Sequence, residues 1–117
     1  PWTISSNRVR ISSPTAPWEV GTELSLQEGQ GFLTNGSRRF VVYSTRESWL
    51  PAYKLGLLSL APGADPLDPA SWTKSAGPVF VGNDNEGVFG VGHASYTTSP
   101  DGTERWIAYH AKSRATP

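Results

Sequence analysis

The feature that most constrains the fold of this chain is an internal repeat with a period of about 65 residues. Two segments share the same order of features: a residue with an ionisable side chain, a turn that ends in glycine, and an aromatic-rich apolar run. Fixed-period similarity of this kind predicts stacked supersecondary units, here with a carboxylic acid at the head of one and an imidazole at the head of the other. The matched segments are 28–45 and 93–111, headed by Glu28 and His93, and in a second register Trp2 recurs as Trp72.

Alternation of polar and apolar side chains, rather than helical periodicity, runs through the sequence. Val9 and Ile11 alternate with arginines, and β-branched and aromatic runs follow polar turns. A short helical turn is predicted only at 69–72. Asn35-Gly36 is the pair that a type I′ hairpin turn requires, and with Ser37 it also satisfies the N-glycosylation pattern. The predicted strands are 7–12, 28–34, 39–45, 54–60, 78–82, 93–98 and 105–111.

Composition excludes several classes of function. The 117 residues carry a net charge of zero, which argues against nucleic acid as the main partner. No apolar run approaches ~18 residues, so no membrane-spanning helix is expected. The absence of cysteine excludes disulfides and thiolate metal sites. The chain begins at Pro1 without a signal-peptide pattern and contains no methionine, which we expect of a segment of a longer protein.

The strand order predicts an all-β fold made of about two four-stranded blades of a β-propeller. Residues 28–82 would form one complete blade, 1–27 the end of the blade before it, and 83–117 the start of the next. Propellers close with 4 to 8 blades, so a ring of such blades needs roughly 300 residues. We therefore expect the fold to be incomplete as a single chain, its remaining blades coming from another chain or segment. An independent β-sandwich is the alternative.

Five motifs together resemble glycoside hydrolase family 43, and the resemblance spans nearly the whole chain. It implies a five-bladed propeller of a secreted enzyme, of which this chain covers only the later blades. Members act on arabinan, arabinoxylan and xylan side chains, so a plant cell-wall oligo- or polysaccharide is the implied partner. The motifs are Glu28-Gly29, Tyr43-Ser44, the run 65–73, the run 90–95 and Tyr109-His110-Ala111.

The resemblance further implies an inverting hydrolase with three carboxylates, and it places the general acid on Glu28. The two partner aspartates belong to earlier blades of the family and have no counterpart here, so activity would require another segment. The activity implied is that of an exo-acting α-L-arabinofuranosidase. An endo-arabinanase or a β-xylosidase of the same family, a sugar-binding propeller without catalysis and a purely structural pair of blades are the alternatives.

The chemistry of an acid catalyst agrees with Glu28 at the start of an innermost strand. Such a carboxyl must hold its proton near neutral pH, which burial and neighbouring carboxylates favour, and an inverting enzyme keeps its base about 6.5–9.5 Å away. A solvated glutamate at a strand end is the alternative.

Glu86 follows a turn-forming run and is expected at the loop surface, and Glu19 is a weaker candidate. The aspartates at 65, 68, 84 and 101 all lie in turns.

His93 is the candidate metal ligand. The resemblance places this imidazole on the propeller axis, where it helps to hold a metal, usually calcium. Because calcium prefers oxygen ligands, a contact through water is easier to reconcile with its chemistry. A core histidine that donates to backbone carbonyls is the alternative, and His110 is expected to be structural.

Two tryptophans are the candidate sugar-stacking residues. Trp49 follows a predicted strand, in a loop where a funnel rim would lie, and Trp18 lies beside Pro17 in another loop. Trp2, Trp72 and Trp106 belong to the repeated scaffold and are expected to pack. Gln30, Val91 and Ala94 depart from the family pattern, which leaves the substrate less defined.

Overall fold

The computed structural model describes residues 3–116, which contain six β-strands and two short 3-10 turns. The all-β fold class is confirmed. The short helical turn predicted at 69–72 is also present, and Asp68 caps it by accepting a hydrogen bond from Ala70 N. Trp2 lies outside the described residues. The strands are β1 (Gln27–Asn35), β2 (Arg38–Thr45), β3 (Lys54–Leu60), β4 (Trp72–Lys74), β5 (Phe89–Thr98) and β6 (Arg105–Lys112), and the 3-10 turns are Pro69–Ser71 and Asp84–Glu86.

The strands form two antiparallel sheets. Strands β1 to β4 make a four-stranded meander in chain order, and β5 pairs with β6 in a second sheet. The predicted hairpin between β1 and β2 is present, but its loop is Gly36-Ser37, because Asn35 pairs with Arg38. Gly36 has a φ of 59° and is the loop residue with positive φ. A type I′ turn on Asn35-Gly36 is therefore wrong, since that turn needs positive φ at both positions.

Two predicted strands are absent. Residues 7–12 form no strand and have no ladder partner within the described residues, and alternation alone does not make a strand without a neighbour. The fourth strand of the meander lies at 72–74 rather than 78–82, because the chain reaches the edge of β3 directly after the 3-10 turn. Past β4, Pro78 has no N–H to donate, and the run 78–82 keeps only the bridge between Phe80 and Leu55.

The two sheets pack against each other through contacts of β1, β2 and β3 with β5. Val42, Leu55 and Ala94 form the buried centre, and Val91 is buried beside them on β5. By contrast, nearly all of β6 is exposed. Within the part of the chain that the structure describes, no helix is long and apolar enough to cross a membrane.

The internal repeat is visible in the backbone as a matching β-bulge in β1 and β5. Glu28 pairs with Ser44 before the first bulge, and Gly92 pairs with His110 before the second. Gly29 and His93 follow these residues, with φ angles of 57° and 48°. The structural counterpart of Glu28 is thus Gly92, and that of Gly29 is His93, so the expected match of Glu28 with His93 is wrong by one residue.

Candidate active site

Glu28 lies at the second residue of β1 and is half-buried. Its Oε1 atom accepts a hydrogen bond of 2.8 Å from the hydroxyl of Tyr53. The main chain of β1 fixes the start of the side chain, and Tyr53 holds one oxygen. Among residues 3–116 no group hydrogen-bonds the other oxygen, so it can meet a ligand. This arrangement suits a carboxyl group that exchanges a proton from one defined atom.

Tyr53 is buried between the two sheets, and only 1% of its surface is exposed. Its ring stacks on His110 with centroids 5.3 Å apart, and it occupies the space that a Cβ would fill at Gly92. Burial raises the pKa of Tyr53 to about 12, helped by the Glu28 carboxylate and opposed by a hydrogen bond with Ser44. The hydroxyl therefore keeps its proton at neutral pH and can donate a hydrogen bond to Glu28.

His93, at the bulge in β5, lies against Gly29, the residue after Glu28. A Cβ at Gly29 would lie 3.0 Å from Cγ of the His93 ring, so glycine is needed where the two strands meet. The backbone N–H of His93 donates a hydrogen bond of 2.7 Å to Oγ of Ser44, which is fully buried. The sequence-predicted pair, Glu28 and His93, therefore flanks Gly29.

The residues near His93 do not by themselves fit a calcium site. Its side chain is exposed, but among residues 3–116 no three His, Cys, Asp or Glu side chains come together to hold a metal ion. Calcium takes six to eight oxygen ligands. An axial calcium held through water by His93 would need ligands from other segments, and it stays a prediction.

The two candidate sugar-stacking tryptophans differ in their surroundings. Trp18 stacks on Tyr43 with ring centroids 6.5 Å apart, so one of its faces is already used in packing. Trp49 is 41% exposed and lies in the loop 46–53, which also carries Tyr53. Lys112 donates a hydrogen bond to the carbonyl of Trp49 and so fixes the loop backbone. Sugar contact by either tryptophan stays a prediction.

Glu19 is fully buried in a hydrogen-bonded network that sequence reasoning missed. Its carboxylate accepts from Lys74 Nζ at 2.6 Å, from Tyr43 at 2.7 Å and from Gln27 at 2.7 Å. Burial opposes ionisation, but Lys74 and these hydrogen bonds together lower the pKa of Glu19. The group is thus a paired anion that anchors the loop before β1. No local signal marks it, because Lys74 is 55 positions away.

Glu47 is a second buried carboxylate that sequence reasoning missed. It accepts hydrogen bonds from the backbone N–H groups of Glu23 at 2.7 Å and Leu24 at 3.3 Å. The bond from Glu23 is the main reason that the pKa of Glu47 falls to about 2. Glu47 therefore ties the loop that leads into β1 to the end of β2.

The rival acids lie where the sequence placed them. Glu86 is exposed in a 3-10 turn. Asp65 and Asp101 accept backbone hydrogen bonds from residues two positions further on, as turn-forming aspartates do. None of these carboxylates contacts the buried centre between the sheets.

A cavity of about 370 Å³ lies at the far ends of β1 and β5 from Glu28, and it is lined by Phe32, Tyr96 and Trp106 among others. Neither Glu28 nor Tyr53 lines this cavity, so it is not part of the candidate site. The hydroxyl of Tyr96 is buried there without a hydrogen-bond partner in the described part of the chain.

Comparison with known proteins identifies the family. A profile of glycosyl hydrolases family 43 matches residues 1–117. The chain is 41% identical to the extracellular exo-alpha-(1->5)-L-arabinofuranosidase of Streptomyces avermitilis, covering 97% of this chain and 23% of that protein. It is 39% identical to alpha-L-arabinofuranosidase B of Pyricularia oryzae, covering 96% of this chain and 23% of that protein.

A solved structure supports the same relationship. The alpha-L-arabinofuranosidase from Lactobacillus brevis superposes with a TM-score of 0.89 at 36% identity, over 98% of this chain and 35% of that chain. The chain thus spans between 23% and 35% of the length of these relatives. Since the profile matches every residue, the resemblance in the sequence motifs is confirmed, and the chain belongs to glycosyl hydrolase family 43.

Proposed function

We propose that the complete protein is an inverting, exo-acting α-L-arabinofuranosidase, and that this chain supplies its general acid, Glu28. The observation that carries the proposal is the hydrogen bond of 2.8 Å from the buried Tyr53 to Oε1 of a half-buried glutamate. A solvated glutamate at a strand end would have no such partner. Relatives named as arabinofuranosidases support the choice of substrate class.

In this role Glu28 delivers a proton to the glycosidic oxygen from the carboxyl oxygen that Tyr53 leaves free. The C–O bond breaks as the leaving oxygen takes the proton, and water attacks the opposite face of the sugar. A base about 6.5–9.5 Å from the acid takes the proton of that water. Because the aspartates of this chain lie in turns, the base and the third carboxylate come from other segments of the enzyme.

The proposal extends to the setting of the enzyme. Two relatives are named as extracellular, which supports secretion, and their names as arabinofuranosidases support an arabinose-containing substrate. We take this substrate to be plant cell-wall arabinan or arabinoxylan. Trp49, exposed in the loop that carries Tyr53, is the residue of this chain that we expect to contact the sugar. His93 would serve as one ligand, through water, of a cation site shared with other blades.

The test is Glu28→Gln in the complete enzyme. Glutamine keeps the shape of the side chain but cannot protonate a leaving group, so cleavage of poor-leaving-group arabinosides should slow by about 10²–10⁴-fold. Activated aryl arabinosides, which need little protonation, should lose far less. Glu86→Gln is the matched control, because Glu86 is exposed in a turn, and it should leave both rates unchanged. Equal losses on both substrates would reject the acid role.

A further inference from the structure

We infer that Tyr53, supported by Ser44, is a positioning residue that decides which oxygen of Glu28 carries the catalytic proton. The inference rests on the proposed role of Glu28 as general acid. It concerns a residue in the loop between β2 and β3, which the motifs of the sequence did not mark.

The hydrogen bonds around Tyr53 share one direction when Oε1 of Glu28 acts as the acceptor. The N–H of His93 can only donate, so Oγ of Ser44 accepts from it. The Ser44 hydroxyl is then free to donate, and we infer that it donates to the Tyr53 oxygen, since Ser44 lowers the pKa of Tyr53. Tyr53 in turn donates to Glu28 Oε1. With the inferred link from Ser44 to Tyr53, the array starts at the His93 N–H and ends at the Glu28 carboxyl group, and each hydroxyl donates to the next group.

The donor is held in place by packing. Tyr53 stacks on His110 and fills the space beside Gly92. Its loop is fixed to β5 through the hydrogen bond of 3.1 Å from Gly90 N to the carbonyl of Pro51. A hydroxyl on such a rigid support selects one orientation of the carboxyl group without further ordering during the reaction.

Tyr53 can donate to Glu28 throughout the reaction. When Glu28 is protonated, the proton is on Oε2, and Oε1 accepts from Tyr53 as a carbonyl oxygen. As the O–H bond at Oε2 breaks and the leaving oxygen takes that proton, Oε1 becomes part of a carboxylate and still accepts the same bond. Tyr53 keeps its own proton, so it orients the acid and strengthens its interaction as negative charge develops.

Tyr53→Phe in the complete enzyme tests the inference, because it removes the hydroxyl and keeps the stacked ring. We expect kcat on poor-leaving-group arabinosides to fall by roughly 10- to 100-fold, the effect of one hydrogen bond to a charged group. KM should change little, and activated aryl arabinosides should lose much less. Tyr96→Phe is the matched control: its hydroxyl is buried without a partner among residues 3–116, so its removal should leave both rates unchanged.

A double mutant separates positioning from a general structural role. If Tyr53 acts through Glu28, Tyr53→Phe should cause no further loss in an enzyme that already carries Glu28→Gln. Additive losses, or equal losses on both substrate types, would overturn the inference. Should Tyr53→Phe not fold, Ser44→Ala takes its place, and it should show the same leaving-group dependence with a smaller loss. If Glu28→Gln shows that dependence while the Tyr53 and Ser44 variants do not, the acid role stands and only the positioning role is lost.

Discussion

At the scale of single residues, the site depends on two positions where a side chain would not fit. Gly29 and Gly92 are flanked by rings, the first by His93 and the second by Tyr53. Gly92 also occupies the ladder position that Glu28 has in the first sheet. At this repeated position one blade has the acid Glu28. The next blade has Gly92, which has no side chain and so leaves room for the Tyr53 ring that reaches Glu28.

Gly92→Ala should displace Tyr53, because the new Cβ would overlap its ring. Overpacking of this kind costs about 1–3 kcal/mol of folding free energy, and the hydrogen bond to Glu28 would be lost with the displaced hydroxyl. The free energy of unfolding measured in urea and the activity on poor-leaving-group arabinosides should both fall. Gly77→Ala is the control, since no atom lies within 4 Å of a Cβ there, and it should be neutral or slightly stabilising. Equal stability of the two variants would contradict the tight packing of the Tyr53 ring against Gly92.

The sequence could identify Glu28 and His93 because each belongs to a short motif at the head of a repeat. It could not identify Tyr53 or Ser44 as their partners, since these contacts join residues 25 and 49 positions apart. His93 also adopts a positive φ, which is uncommon for a residue with a side chain. Only the pairing of β5 with β6 reveals that bulge.

At the scale of elements, five of the seven predicted strands are present within a few residues of the expected bounds. Each of the five has a neighbour in a ladder, whereas 7–12 has none in the described chain. The loop that follows 7–12 is instead held by side chains, through the carboxylates of Glu19 and Glu47. Alternation of polar and apolar residues indicates which side chains face inward, but it does not indicate which segments pair with a neighbouring strand.

The stabilisation that Glu47 gives to the loop before β1 should decrease at acid pH. The pKa of Glu47 is about 2 in the folded chain, against an ordinary value of 4.5, so the unfolded chain binds the proton more tightly. The stabilisation is complete above pH 4.5 and is lost as the pH falls toward 2. Glu47→Gln should lower the free energy of unfolding by about 1–3 kcal/mol at neutral pH. Its deficit relative to the wild type should shrink between pH 4.5 and 2.

Urea unfolding at a series of pH values checks this prediction in the complete protein. Glu23→Gln is the control: Glu23 supplies a backbone N–H to Glu47, but its own side chain is exposed, so its replacement should leave the pH dependence unchanged. A deficit for Glu47→Gln that stays constant across the acid range would mean that the Glu47 carboxylate does not stabilise the loop through its charge.

At the scale of the whole molecule, the chain is more open than an independent domain of its length. Its radius of gyration is 15.5 Å, whereas a compact domain of this size has one of about 13 Å. Trp106 on β6 is 57% exposed, and Ile107 and Tyr109 are exposed beside it. An apolar strand with an unpaired edge invites association. Together with the partial coverage of its relatives, this exposure supports the proposal that further segments complete the core.

Hydrogen exchange can compare β6 in the complete protein with β6 in the chain of residues 1–117 alone. In the isolated chain, the β6 amides that point away from β5 lack ladder partners, so they should exchange rapidly. In the complete protein, a neighbouring strand would protect them by at least ~10-fold. β2 is the internal control, because it is paired on both sides by β1 and β3 and should be the slower strand in both samples. If β6 exchanged equally fast in the complete protein, its apolar face would serve some purpose other than continuing the propeller.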